Sequence, residues 1–312
     1  MRILIIGTGA MGTIYGWALT KAGHEVLHYV RPEKRTNPDG ETIHVQFRDW
    51  RPRRFRAACR TYTYRVIREI PVEHDFELIM APVLHFHYRE LAPLLRERGG
   101  QALIMPFGNH WNDFELLEAQ LSGRYLFGFP HHGGVVQEGV LHGMLNSQLS
   151  LAEPNGQPSE RLQRIAKLFQ EAGFRPHFPK DFPGWCRVHF AWNTAILTST
   201  VRIGSIYAFR KNRRALHHAF ELMRETMHVV AATGVNPADF PEGRMAAAPL
   251  WRNVLLTQML LYLPGMAQMA EAQLQRNQLE IKKLYYDLWQ AARDRGVPTP
   301  LLDACQPFVN ML

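Results

Sequence analysis

The chain opens MRILIIGTGAMG, and these twelve residues restrict its fold more than any other stretch. RILIIG is a short apolar run closed by glycine, the pattern of a strand buried on both faces of a parallel sheet. Gly7, Gly9 and Gly12 follow at once in G-x-G-x-x-G spacing. They open a helical stretch, MGTIYGWALTKAG, that stops at Gly23. In that setting the first glycine makes a tight turn and the second lets the backbone approach a diphosphate. The third lets helix and strand pack closely. The helix N-terminus then faces the phosphates. Gly7, Thr8, Gly9, Ala10, Met11 and Gly12 are therefore the expected dinucleotide-binding loop.

The pattern that follows fits such a start. HEVLHYV is a second strand, and FELIMAP and QALIMPFG are two more, with the helical HYRELAPLLRER between them. GRYLFGFP reads as a further strand, residues 133–152 as several more, and ERLQRIAKLFQEAGF as a helix. Strands spaced by helices imply a parallel, doubly wound sheet. RPHFPKDFPGW (175–185), with three prolines, is the best linker. Beyond it the texture turns to long helices. Leu216, Phe220, Met223, Met227 and Val230 recur at spacings of three and four, up to Gly234. Another helical tract runs from about Gln268 to Arg295. The expected architecture is an α/β Rossmann-type N-terminal domain with a parallel sheet over 1–180, then an all-α domain over 181–312. The second domain is expected to serve substrate binding and dimerisation. Its Met-rich QMLLYLPGMAQMAEA fits a homodimer interface or an ordinary core.

Composition narrows the function classes. Of 312 residues 46% are hydrophobic and 21% charged, as in a soluble globular protein. No apolar run approaches the roughly 20 residues that span a bilayer, so no membrane partner is expected. The N-terminus lacks the features of a signal peptide. Cys59, Cys186 and Cys305 have neither disulfide-framework nor zinc spacing, which suits a reducing cytoplasm. Much of the net charge of +8 lies in FRDWRPRRFRAACRTYTYRVIRE (47–69). Arginine among aromatics suits nucleic acid. The alternation in TYTYRVI instead favours a solvated pair of strands, so no nucleic-acid partner is expected. The same field would favour an anionic small molecule.

The tip of the second strand bears on which dinucleotide binds. An NAD site usually places Asp or Glu there for the ribose hydroxyls. This strand ends EVLHYVRPEKR, with Arg31 at the tip, Glu33 near, and Lys34 and Arg35 behind. A guanidinium there pairs with a 2′-phosphate. NADP is the expected cofactor.

At this point the chain resembles the ketopantoate reductase family. The similarity is carried by MRILIIGTGAMG, GHEVLHYVR, the helix around Asn193, ELMRETMHVVAATGV and LEIKKLYYDLWQAARDRGVPTP. The resemblance implies hydride transfer from NADPH to a 2-oxo acid by a Rossmann domain and a helical domain. It puts Gly7, Gly9, Gly12 and Arg31 on NADPH-binding positions and Glu280 on the active-site glutamate. It also shows departures. The family helix carries Lys-x-x-x-Asn-x-x-x-Asn, and this frame reads His189, Asn193 and Leu197. Phe107 stands where the family has asparagine, with Gly108 retained and Asn109 beside it. A lysine is missing from MAPVLHFH, and Gln268 replaces a serine.

Reducing a carbonyl puts negative charge on oxygen, and a placed proton donor contributes roughly 10²–10⁴ in rate. His189 is the expected acid, since a histidine beside a carboxylate remains partly protonated at neutral pH. Glu280 is the expected neighbour and Asn193 the expected holder of the substrate oxygen. His85, His87, His131 and His132 lie past strand ends, where ligands bind in open sheets. No spacing completes a metal site with them. The expected function is an NADP-dependent reductase acting on a small molecule, a carbonyl or an imine other than ketopantoate. A true but divergent ketopantoate reductase and an inactive NADPH-binding protein are the alternatives.

Overall fold

RILII forms β1 (Arg2–Ile6), with Ile3, Leu4 and Ile5 wholly buried. Around it lie β6 (Leu103–Pro106), β5 (Leu78–Ala81), β2 (Glu25–Tyr29) and β4 (Arg56–Ile67). These five run parallel in the order β6-β5-β1-β2-β4. The computed structural model describes residues 1–33, 41–49, 51, 56–263 and 265–312.

The sheet then departs from the purely parallel expectation. β3 (Glu41–Asp49) pairs antiparallel with β4, from Glu41 opposite Tyr64 to Asp49 opposite Arg56. β9 (Val140–Leu145) adds parallel to β3, and β8 (Gly134–Gln137) closes the edge antiparallel. The chain thus passes from β2 to its neighbour β4 through a strand, where the wound pattern would place a helix. The alternation in TYTYRVI is the cause, since Tyr62 and Tyr64 both face the core. β7 (Phe127–Pro130), β10 (Gln148–Ala152) and β11 (Arg175–His177) form a second sheet, β11-β10-β7.

α1 (Ala10–Lys21) and α4 (Glu160–Glu171) supply Ile14, Tyr15, Ile165 and Phe169 to one core with Ile3, Val45 and Leu141. Ser159 caps α4 by accepting from the Leu162 N–H at 3.0 Å. α2 (Tyr88–Arg98) and α3 (Phe114–Leu121) complete the first unit, Met1–Phe182. His85–His87, past the end of β5, is a 3-10 turn that leads directly into α2. One local expectation needs correction. The proline-rich 175–185 stretch holds β11 and the start of α5 (Phe182–Ile203), so most of it is regular structure.

The second unit, Pro183–Leu312, is helical: α5, α6 (Ile206–Phe209), α7 (Arg213–Ala231), α8 (Pro241–Ala247), α9 (Leu250–Tyr262), α10 (Met266–Arg276), α11 (Gln278–Asp294), α12 (Pro300–Asp303) and α13 (Gln306–Asn310). The apolar stripe of α7 is buried throughout, from Leu216 to Val230. The tract expected as one helix from Gln268 to Arg295 breaks at Asn277, whose φ of −101° and ψ of 31° are not helical. Asn277 then starts α11, its carbonyl accepting from the Ile281 N–H at 3.0 Å. Glu280 therefore sits in an N-terminal turn, where the helix dipole favours a carboxylate.

Candidate active site

Each glycine of the first loop meets a different requirement. Gly7 has φ +92°, a left-handed conformation that side chains rarely adopt. A Cβ on Gly12 would lie 2.8 Å from the Gly7 carbonyl oxygen, so only hydrogen fits there. A Cβ on Gly9 would meet nothing within 4 Å, which leaves open space above the turn. Gly9 is also the N-cap of α1. No side chain caps this helix, and no acidic residue stands in its first turn. Its N–H groups and dipole are thus left for an anion. The loop fits a dinucleotide's diphosphate.

Behind the loop lies a support the sequence reading missed. His28, wholly buried in β2, donates from Nδ1 to the Gly7 carbonyl at 2.8 Å. A carbonyl only accepts, so in the neutral ring Nε2 is the acceptor, here from the Tyr62 hydroxyl at 3.0 Å. A Cβ on Gly16 would lie 2.5 Å from that hydroxyl and 2.6 Å from Nε2, so α1 clears this pair only with glycine there. The signal was a polar residue within the apolar strand EVLHY.

Arg31 is exposed just past β2. Arg68, at the end of β4, donates to the Pro32 carbonyl at 3.0 Å and so fixes the residue after Arg31. Burial, and then the field of Arg31, hold His87 below the ordinary imidazole range. Lys34 and Arg35 lie outside the described residues. Several arginines of the basic segment serve the fold itself. Arg51 pairs with Asp49 at 2.8 Å, donates to the Ala172 carbonyl at 2.7 Å, and covers Trp17 and Phe174. Arg65 pairs with Glu25.

Past the strand ends, Phe107 turns inward. Its ring meets Tyr15 edge-on at 4.7 Å, and only 2% of the residue is exposed. The position that carries asparagine in the family is here part of the core. His132 packs beside Tyr15 and Phe174, which also stack on each other at 5.0 Å, and burial pushes its pKa down to about 3, so the ring is neutral. His131 shares a hydrogen bond with the Ser150 hydroxyl at 2.8 Å. His85 is buried in the 3-10 turn. Among the described residues no group of three or more His, Cys, Asp or Glu is placed to hold a metal ion.

In the second unit, His189 and Asn193 lie one turn apart on α5, both half-buried. The carboxylate placed on His189 is Glu242, in the first turn of α8: Nδ1 to Oε1 is 3.2 Å. The sequence reading named Glu280 for that role and did not anticipate Glu242. Fifty-three residues separate the pair, so no local spacing announces it. The Trp185 ring stacks on His189 at 5.0 Å and 23°, fixing the plane of the imidazole. Burial pushes Glu242 up, but hydrogen bonding and charge from His189 outweigh it and hold the carboxyl below its ordinary range. Thr194 donates to the Phe190 carbonyl at 2.9 Å and reaches the Leu284 carbonyl at 3.5 Å, which ties α5 to the helix carrying Glu280.

Comparison with known proteins bears on the family and the fold. Residues 3–155 match the family model described as ketopantoate reductase PanE/ApbA. A 2-dehydropantoate 2-reductase of Aquifex aeolicus is 25% identical over 203 residues, 63% of this chain. The chain spans 61% of that relative's length. A dimeric ketopantoate reductase from Staphylococcus aureus superposes with a TM-score of 0.71 at 17% identity, over 100% of this chain and 98% of that one. D-mandelate dehydrogenase, solved with NADH and anilino(oxo)acetate, gives a TM-score of 0.74 at 16% identity, over 100% and 97%. Among the described residues no helix is long and apolar enough to cross a membrane. With the glycine loop and the family match in agreement, residues 3–155 are a ketopantoate reductase family domain, and the whole chain shares the fold of the solved ketopantoate reductases.

Proposed function

We propose that the protein is an NADPH-dependent reductase that acts on a 2-oxo acid or related carbonyl, or on an imine, and not on ketopantoate. The observation that carries this reading is the open space at Gly9 above an uncapped helix N-terminus, with Arg31 past the next strand. Gly7, Thr8, Gly9, Ala10, Met11 and Gly12 would hold the diphosphate through backbone N–H groups. Arg31 would grip the 2′-phosphate, which favours NADPH over the NADH found with D-mandelate dehydrogenase. When bound, the nicotinamide supplies the hydride.

The remaining chemistry belongs to side chains. His189 would deliver a proton to the oxygen or nitrogen that becomes negative as hydride adds to carbon. With Nδ1–H donating to Glu242, the proton would pass to the substrate from Nε2. Asn193 would hold the reacting oxygen. Glu280 would contact the substrate's polar groups, as its place in the family frame implies.

Two features turn the reading away from ketopantoate. Leu197 stands where a polar substrate contact belongs, and Phe107 spends its ring on the core. A 2-oxo acid with a bulky apolar substituent suits that loss of polarity. The anilino(oxo)acetate bound by D-mandelate dehydrogenase is of this kind.

The test pairs binding with turnover. NADPH at about 1,000 times its dissociation constant should stabilise the protein by roughly 4 kcal/mol, and NADH at equal concentration by less. Oxidation of NADPH is then followed with aliphatic and aryl 2-oxo acids, ketopantoate and cyclic imines. Affinity without oxidation of any of them would leave an inactive binder. Indifference to both dinucleotides would remove the proposal altogether.

A further inference from the structure

Gly7 is held from behind by two consecutive residues of β2. Its N–H donates to the Tyr29 carbonyl at 2.7 Å, and its carbonyl accepts from His28 Nδ1 at 2.8 Å. The direction of that carbonyl is marked a second time at Gly12, where an added Cβ would lie 2.8 Å from the oxygen. The oxygen therefore points to the buried His28 ring and the first turn of α1, and not to the open space at Gly9. Two further carbonyls of the loop are also held from within. That of Thr8 accepts from the Thr13 hydroxyl at 3.4 Å, and that of Gly9 from the Thr13 N–H at 2.9 Å. Thr13 belongs to α1 itself, so these two follow from the helix. The Gly7 carbonyl depends on a side chain of another element.

Packing alone leaves its direction open. A Cβ on Gly7 would meet nothing within 4 Å, and glycine adopts either sign of φ. The plane between residues 7 and 8 can turn over with little steric cost on the Gly7 side. A peptide is planar and trans, so its carbonyl and the next N–H point opposite ways. Turned over, this peptide would present an oxygen on the side where the loop offers N–H groups. An oxygen there repels an anion and spoils the concavity of amides that binds one.

We infer that His28 is a positioning residue for cofactor binding, its Nδ1–H locking the Gly7 carbonyl inward so that amides face the diphosphate. Tyr62 acts through it. The phenol donates to Nε2 at 3.0 Å, which leaves the ring proton on Nδ1, the nitrogen that reaches the carbonyl. Burial pushes the Tyr62 phenol up to about 12, so it keeps the proton that it donates. Both side chains are buried, so water does not compete for either bond. Leucine would fill this place in β2 without the cost of burying a polar ring. What the imidazole adds is the donor.

The inference rests on the proposed dinucleotide reading, and the two fail separately. Calorimetric titration with NADPH and with NADH compares the wild-type chain, His28→Leu and His28→Asn. Leucine removes the donor, whereas asparagine places an amide N–H where the imidazole Nδ1 stands. His28→Leu should weaken both dinucleotides by the same factor, roughly 10- to 100-fold, because the diphosphate is common to them. His28→Asn should stay within about threefold of wild type. Both variants lose the Tyr62 bond and should melt lower, so melting does not separate them and affinity does. Equal loss of affinity in the two variants would make His28 a packing residue and overturn the inference. A His28→Leu protein that binds like wild type, or that loses NADPH alone, would overturn it too. A wild type that ignores both dinucleotides would sink the cofactor reading instead. The crystal structure of free His28→Leu then still decides the lock: the Gly7 carbonyl should turn from its wild-type direction, and an unmoved carbonyl overturns the inference. Should that variant not fold, Tyr62→Phe decides. Without the hydroxyl the ring can carry its proton on Nε2, so both dinucleotides should weaken roughly fivefold, and unchanged affinity overturns the inference.

Discussion

The glycine loop and the His189 pair differ in what does the work. In the loop the backbone does it: a left-handed turn at Gly7, open space at Gly9 and a close approach at Gly12. Backbone requirements act over a few residues, so they are written in spacing and can be read directly. At His189 the work falls to side chains from α5 and α8, 53 residues apart. Such a pairing depends on packing that no local pattern encodes. The helix face of His189 and Asn193 was legible, and the identity of the carboxylate was not.

The sharpest way to strain this comparison is to remove the proposed acid. His189→Ala should lower turnover by roughly 10²–10⁴ while NADPH affinity stays within about twofold, because the proposed role of this side chain is proton transfer and not cofactor binding. Stopped-flow hydride transfer and equilibrium fluorescence report the two quantities separately. Equal turnover would take His189 out of the reaction.

The loop can be divided internally by two alanine substitutions that look alike in sequence. Gly9→Ala adds a methyl group to open space, so the free protein should melt near the wild-type temperature. Its NADPH affinity should fall by roughly 100-fold, the scale of one or two charge-assisted hydrogen bonds lost as the diphosphate is pushed away. Gly12→Ala instead forces a methyl group to 2.8 Å from the Gly7 carbonyl, and should cost about 1–3 kcal/mol of stability before any ligand is added. If both variants melt alike, the assignment of separate roles to the two glycines is wrong.

Arg31 tests how far a strand-end charge was legible. Arg31→Ala should weaken NADPH roughly 10- to 100-fold and leave NADH nearly unchanged, since NADH has no 2′-phosphate to lose. Calorimetric titration with both dinucleotides checks the ratio. Arg68 carried no sequence signal, although its bond to the Pro32 carbonyl helps shape the same turn. The overall fold divides in the same way. Continuous apolar runs announced the buried parallel strands. The antiparallel extension through β3, β9 and β8 was blurred because solvated alternation says where side chains face and not which strand lies alongside. The break at Asn277 was missed for a related reason: asparagine is tolerated inside helices as well as at their ends, so it does not mark a boundary as a proline would.

The smallest effect is the most diagnostic of the side-chain pairing. Glu242→Gln keeps the shape of the residue and removes its charge, so the Trp185 stack and the α8 turn should persist. Turnover should fall about tenfold, as the imidazole loses the charged partner that orients its ring. Stability provides a second reading with a defined sign. The Glu242 carboxyl is held below its unfolded range, so its contribution is fully present above the ordinary carboxylate pKa and is lost as pH falls through the lower folded value. The melting temperatures of wild type and Glu242→Gln should therefore differ at pH 6 and converge as the pH is taken below about 4. Convergence at high pH instead would mean that Glu242 is not the charged partner of His189. A melting difference unaccompanied by any loss of turnover would make the pair a structural clamp, and would leave the proton donor to be sought elsewhere on α5.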